Sequence, residues 1–297
     1  MGYNSGVEFR KDKLDIYYID FTNKTKYDVL FDSMGIPMLN YYGKTGIKYN
    51  PTAICQYGLG MLQVYQNIRG EETYLKFIKQ ADWLVENQKI KANDMGVWEY
   101  DYSGEVYGLK SPFWISAISQ GLGISLLLRA YVLTGDQKYM EASNKAFKSF
   151  LYNVDNGGVV NRDNEGSIFL EEVPTEKVSG ILDGFIYAIF GVYDYSIITG
   201  DEKAKEIFED SLRTLENRLP NYDMGFWSRA DLHKEKPKMI ASVFYHRLHV
   251  YQLKVLYEIT GRRIFLDYSK KWDNCYNNRL YRALAIAYKV MFKLLYY

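Results

Sequence analysis

The sequence predicts a mainly α protein: an α/α toroid, or incomplete α/α barrel, of helix-hairpin repeats with short β-hairpin loops lining one end. Three observations predict it. First, four helical runs end in related turns, Asn67-Ile68-Arg69-Gly70, Val132-Leu133-Thr134-Gly135, Ile197-Ile198-Thr199-Gly200 and Glu258-Ile259-Thr260-Gly261. Their closing glycines stand 65, 65 and 61 residues apart, and a glycine just past a helix end is the expected left-handed residue. Second, an amphipathic helix follows each turn. It opens on Glu71-Glu72, Asp136 or Asp201-Glu202 in the first three copies, acids that suit a helix amino terminus, and on Arg262-Arg263 in the fourth. Third, three of these second helices run into aromatic or glycine-bearing stretches with strand character: Met95-Gly96-Val97-Trp98, Gly157-Gly158-Val159-Val160 and Met224-Gly225-Phe226-Trp227. Helix, tight turn, helix and strand-like loop form one unit, which cannot bury its apolar face alone and so packs against its copies.

Taken in order, residues 1–46 are expected to be an extended lead-in that includes Asp15-Ile16-Tyr17-Tyr18-Ile19-Asp20-Phe21, and residues 47–297 to form the toroid. The first helices of the pairs, such as 52–68 and 181–198, are more apolar than the second and are assigned to the inner ring. An open solenoid fits the same period. The closed ring is preferred because it gathers the aromatic loops at one end, where they can wall a cleft. The last stretch, Arg279 to Tyr297, is an apolar helix carrying Arg282, Lys289 and Lys293, read as closing the core or as the contact of a homodimer.

Composition narrows the function. A hydrophobic content of 47% is ample for a core, and a net charge of +1 lacks the basic profile of a dedicated nucleic-acid binder, so no nucleic-acid partner is expected. Twenty-nine tyrosines and five tryptophans lean toward carbohydrate, on which amphipathic rings stack. Cys55 and Cys275 cannot build a disulfide framework. Met1 to Lys13 has no apolar core of a signal peptide, and no apolar run is expected to reach the length of a membrane span. The compartment stays open.

All three histidines, His233, His246 and His249, fall in one window, which marks it as a candidate site. The apolar rhythm of 244–256 puts Tyr245, His249 and Gln252 on one helical stripe. Both a satisfied core role for each histidine and a metal site made by the three remain open on these residues alone, although no acidic or cysteine ligand set has convincing spacing, so no metal and no cofactor is expected.

Four stretches resemble the heparan-sulfate glucuronyl C5-epimerases and their bacterial and archaeal relatives. They are Ile47-Lys48-Tyr49-Asn50-Pro51-Thr52-Ala53-Ile54-Cys55-Gln56-Tyr57-Gly58-Leu59; Glu171-Glu172-Val173-Pro174-Thr175 followed by Ile181-Leu182-Asp183-Gly184-Phe185; the segment from Met224 to Gln252; and, more weakly, Ile118-Ser119-Gln120-Gly121 with Arg129-Ala130-Tyr131. The resemblance covers about residues 35 to 275 and implies an isomerase that converts glucuronic to iduronic acid residues in an anionic uronic-acid polysaccharide such as heparosan. Inverting C5 beside a carboxylate needs a base, an acid on the opposite face, and donors for the developing dianion. A tyrosine base would need its phenol pKa, near ~10, lowered by neighbouring cations.

Carried across by motif, Tyr245 is a proton-transfer residue and Glu172 a base or a neutral acid that polarises the substrate carboxylate. Arg162, Arg229, His246 and His249 would hold carboxylates, and Tyr49, Trp98 and Trp227 would stack on sugar. Asn50, Gln56 and Gln120 complete the expected substrate contacts. Val173 and Ala230 depart from the pattern at positions where the family usually has tyrosine, and neither side chain can carry a proton. The alanine reads as a truncation made to trap substrate or as a natural inactive branch, so slow turnover is expected. A polysaccharide lyase, a glycoside hydrolase using Glu172 with Asp231 or Asp101, and a non-catalytic glycan-binding module are the competing readings.

Overall fold

A computed structural model describes residues 14–26, 30–103, 108–109, 112–233 and 238–296. The stretch read as lacking a signal peptide, Met1 to Lys13, lies outside the described residues. Four helical hairpins follow one another: α1 (Pro51–Ile68) with α2 (Glu71–Glu86), α3 (Ala117–Thr134) with α4 (Gln137–Phe147), α5 (Leu182–Thr199) with α6 (Glu202–Tyr222), and α7 (Val243–Thr260) with α8 (Arg263–Asn277). The first helix of each pair contacts the first helix of the next, giving an inner row α1, α3, α5, α7 backed by the second helices. This is the expected incomplete α/α toroid.

Burial follows that arrangement. α3 and α5 are covered round most of their circumference, whereas α2 and α6 bury one apolar face and leave the other to solvent. α3 corrects one expectation: by length and composition it could cross a membrane, but 78% of it is buried inside the ring, and a core helix needs that apolarity. α3 and α5 approach closely, because a Cβ added at Gly191 would lie 2.3 Å from the Gly121 Cα.

The turns hold with one exception. Gly135, Gly200 and Gly261 adopt the left-handed backbone, with φ of 75°, 70° and 71°. In the first hairpin Arg69 takes that conformation (φ 52°), and Gly70, expected there, instead caps the start of α2 in an extended one. α9 (Arg279–Tyr296) packs on α8 and α7, with Ala285 and Phe292 buried and Leu280, Leu284, Met291 and Leu294 exposed.

The lead-in runs past the carboxyl-terminal halves of the inner helices. Gln63 of α1 accepts from Phe21 N and donates to the carbonyls of Tyr17 and Ile19. Beneath the Tyr17 and Tyr18 rings, Arg129 of α3 pairs with Asp194 of α5 at 2.6 Å, fully buried. A short antiparallel sheet follows, made of β1 (Leu30–Phe31), β2 (Pro37–Asn40) and β3 (Ile47–Tyr49), with Met38 opposite Tyr49. The boundary expected between residues 46 and 47 therefore runs through a hydrogen-bonded sheet.

Three hairpins occupy the loops between pairs: β4 (Lys89–Lys91) with β5 (Met95–Val97), β6 (Glu99–Tyr100) with β7 (Trp114–Ile115), and β8 (Val160–Arg162) with β9 (Ile168–Leu170). The strand expected at 224–227 is instead a turn flanked by isolated bridges, Asp223 with Ser228 and Arg229 with Ile240.

Candidate active site

The amino-terminal ends of all four inner helices meet at one cleft of about 700 Å³, lined by Asn50 and Gln56 of α1, Ile118 of α3, Asp183 of α5, and Tyr245 and Leu248 of α7. Each helix start carries partial positive charge from its unpaired N–H groups, which suits an anionic ligand. Lys24 is the basic side chain among the described lining residues, and with Leu39 and Tyr41 it brings the lead-in into the cleft wall. Burial lowers the Lys24 pKa.

Glu172 is placed by its neighbour. Glu171 N donates to Val159 O, and the buried Glu171 carboxyl accepts from Ser179 and from Gly180 N, which anchors the loop after β9. Glu172, next in the chain, sits in the bend after β9 and lines the cleft. Its carboxyl rests on the first turn of α5, where Gly184 leaves room: a Cβ there would lie 2.2 Å from Glu172 Oε2. Burial first, then the charges of Asp183 and Glu171, push the Glu172 pKa well above the carboxylate range. The shift favours the protonated form of Glu172.

Tyr245 enters the cleft from the first turn of α7, capped by Ser242. Its phenol pKa is raised by burial and by the charges of Asp183 and Glu172. The expected lowering by cations does not occur, and Tyr245 holds its proton. The stripe of Tyr245, His249 and Gln252 faces the start of α5. Gln252 Nε2 donates to Asp183 O at 2.9 Å, and His249 Nε2 lies 3.9 Å from Asp183 Oδ1. Four buried polar atoms in this corner, Glu172 Oε2, Tyr187 Oη, His249 Nε2 and Gln252 Oε1, have no hydrogen-bond partner. Such groups are rare in folded proteins, and a ligand would complete them.

Several expected contacts are corrected. Trp98 and Trp227 are buried core side chains whose indole N–H groups donate to Leu84 O and Ala241 O, and Trp227 stacks on His246. Gln120 is spent on the backbone of the β5 stretch, accepting from Trp98 N and donating to Gly96 O. His246 is enclosed between Ser228 and Trp272 O, with no nitrogen left for a substrate or a metal, and its pKa falls to about 3 through burial and His249.

Four more residues stand away from the cleft. Arg162 closes its own hairpin on Gly166 O. Arg229 is almost buried and donates to Asn221 O. Tyr49 bonds Asp32 on the outer sheet. Ala230 lies behind the cleft edge, its carbonyl accepting from Leu182 N at the start of α5. Of the acids named for hydrolysis, Asp101 is exposed and paired with Lys48, and Asp231 is buried; neither lines the cleft.

The aromatic wall comes from residues that sequence reasoning missed. Tyr100 and Trp114, held opposite each other by the β6–β7 pairing, stack at 4.3 Å, and Tyr102 meets both edge-on. Asn50, which caps α1 through its side-chain oxygen, donates to Tyr41 Oη at 2.6 Å and fixes Tyr41 against Tyr102.

A family model described as the D-glucuronyl C5-epimerase C-terminus matches residues 92–274. The chain belongs to the D-glucuronyl C5-epimerase family. It is 35% identical over 233 residues to a D-glucuronyl C5-epimerase of Caenorhabditis elegans, an alignment covering 72% of this chain and 37% of that protein. It is 31% identical over 218 residues to an uncharacterized protein of Methanocaldococcus jannaschii, covering 70% of this chain and 69% of the other. Solved structures similar to this epimerase-family chain include the GH76A α-1,6-mannanase of Salegentibacter sp. HEL1_6, with TM-score 0.57, 16% identity, and coverage of 86% of this chain and 68% of that one. The unsaturated glucuronyl hydrolase of Bacillus sp. GL1 has TM-score 0.52, 18% identity, and coverage of 75% and 61%. At those identities the likeness is one of fold.

Proposed function

We propose that this chain inverts C5 of D-glucuronic acid residues in a heparosan-like polysaccharide, giving L-iduronic acid by proton removal and return. The observation that carries the reading is the meeting, in one cleft at four helix amino termini, of a carboxyl whose pKa burial raises, Glu172, with a phenol, Tyr245. Removing the C5 proton moves charge onto the substrate carboxylate. A neutral Glu172 donates a hydrogen bond to it without opposing its charge, and Tyr245 returns a proton to carbon. Tyr41, Tyr100, Tyr102 and Trp114 form the sugar-stacking wall. Residues 47–297 supply most of the catalytic unit, with the lead-in completing its rim.

Ala230 lies behind the cleft edge, from which only a long side chain reaches inward, so a tyrosine there would add a hydroxyl donor that alanine lacks: turnover is expected to be slow, and Ala230→Tyr to raise it ~10²-fold, the worth of one donor aimed at a developing oxyanion. The test is deuterium entry at C5 of a glucuronic-acid oligosaccharide in D₂O, for both versions at position 230. Deuterated iduronate in an intact chain is expected, faster with tyrosine. The placement of Glu172 and Asp183 in one cleft favours hydrolysis as the second reading. Release of reducing ends without exchange would establish it, an unsaturated product would mean a lyase, and affinity without turnover would mean a binding module.

A further inference from the structure

Every uronate of the substrate proposed above carries a carboxylate, and the side chains expected to hold it are mostly committed elsewhere. Arg162 is bonded to its own hairpin, Arg229 to Asn221 O, and His246 is enclosed between Ser228 and Trp272 O, while His249 faces Asp183. Two acids, Glu172 and Asp183, line the cleft, and the counter-charge among its described lining residues is Lys24. Lys24 lies outside residues 92–274, which the family model matches.

The lead-in fixes where Lys24 stands. It belongs to a 3₁₀ turn, Thr22–Lys26, whose start is tied by Asp20, accepting from Thr22 N at 2.8 Å and from Thr22 Oγ1 at 2.7 Å. Lys24 N donates to Phe21 O at 2.7 Å, and Phe21 N donates to the buried Gln63 of α1 at 2.8 Å. The turn sits directly on α1, because a Cβ added at Gly60 would lie 2.6 Å from Phe21 O. On its other side the Phe21 ring stacks on Tyr187 of α5, with centroids 6.0 Å apart. Tyr187 also lines the cleft, and its buried hydroxyl has no hydrogen-bond partner. One fixed ring thus joins the turn that bears Lys24 to the tyrosine whose donor is unmatched. A carboxylate offers acceptors to an ammonium and a hydroxyl together, and the charged pair is the stronger of the two bonds. Lys24 is half-buried, so an anion beside it gains more than at a fully exposed lysine.

We propose that Lys24 is a specificity-determining residue of the cleft: its ammonium pairs with a carboxylate of the bound uronic-acid chain and separates that chain from a neutral polysaccharide. The assignment rests on the uronate reading above. Lys24 takes no part in proton transfer; it binds, and through it the lead-in is part of the recognition site.

The test compares two ligands on the full chain by calorimetry: a heparosan hexasaccharide, and the same hexasaccharide with its carboxylates reduced to primary alcohols. The parent is expected to bind the acid form about tenfold more tightly than the reduced one. Lys24→Met keeps the length of the side chain and removes its charge. It is expected to weaken binding of the acid form about tenfold, to leave the reduced form within about threefold, and to flatten the salt dependence of acid-form binding. Lys24→Arg keeps the charge and is expected to retain most of the preference. A Lys24→Met protein that prefers the acid form as strongly as its parent would overturn the assignment and leave the uronate reading standing. An equal loss for both ligands would mean that Lys24 only supports the lead-in, and would overturn the assignment too. A parent that binds both forms alike, or neither, would remove the uronate reading itself, and the role of Lys24 with it.

Discussion

A Cβ at Gly184 would lie 2.2 Å from Glu172 Oε2, 2.7 Å from its Cβ and 3.0 Å from its Cδ. The conflict reaches the root of the glutamate side chain, so rotating its far end does not relieve it. Gly184→Ala is therefore expected to displace the carboxyl by about 1 Å and to lower C5 exchange ~10²-fold while oligosaccharide binding changes little; unchanged exchange would mean that Glu172 is not positioned by that turn. Single residues also show where reading a sequence stops. Tyr245, His249 and Gln252 could be placed together because four- and three-residue spacings put side chains on one helical stripe. That Ser228 would occupy nitrogens of both His246 and His249 depends on a turn 18 residues upstream of His246, and no spacing reports it. Asp183 lies in a stretch that carries the resemblance, but an acid in the first turn of a helix is ordinary. That its carboxylate stands 3.9 Å from His249 Nε2 is a fact of the fold, which no spacing reports.

The helices were legible because their signals are local: a left-handed residue after each first helix, acids opening most of the second ones, an apolar stripe between. The loops were less so. Trp98 and Trp227 stand in aromatic stretches that read as cleft wall, yet each indole N–H finds a backbone carbonyl inside the core. Tyr100 and Trp114 form the wall because a two-residue strand pairing brings together side chains that lie apart in the chain. Deeper in the ring, α3 and α5 meet closely. A Cβ at Gly191 would stand 2.3 Å, 2.4 Å and 2.6 Å from backbone atoms of Gly121, none of which can rotate away. Alanine gains about 1 kcal/mol of helix propensity over glycine, and forcing two packed helices apart costs about 1–3 kcal/mol or more. Overpacking wins: Gly191→Ala is expected to lower the unfolding free energy by about 2 kcal/mol in urea titration, and a variant as stable as its parent would show that this contact gives easily.

Packing the lead-in and the loop after β9 against the inner helices buries ionisable groups, and that sets the response to pH. The lead-in covers the Arg129–Asp194 pair, while the loop that presents Glu172 depends on the buried Glu171. Burial raises the Glu171 pKa to about 7, above its unfolded value. The folded protein thus holds this proton more tightly than the unfolded chain does. Its contribution to stability is full below the ordinary glutamate range near ~4.3 and is lost as pH rises through about 7. His246 works in the other direction: its pKa is depressed to about 3, so its contribution is present above ~6.5 and lost as pH falls toward 3. The two trends overlap, so the parent's own pH profile cannot separate them, whereas a comparison with Glu171→Gln can, because His246 is common to both proteins and cancels. The glutamine resembles the protonated acid and pays no desolvation at high pH. Relative to the parent, Glu171→Gln is expected to gain about 2 kcal/mol in unfolding free energy between pH 5 and pH 8, read from urea midpoints at constant ionic strength. A difference that stays flat across that range would mean that Glu171 is already ionised in the fold and that its three donors at Ser179 and Gly180 outweigh its burial.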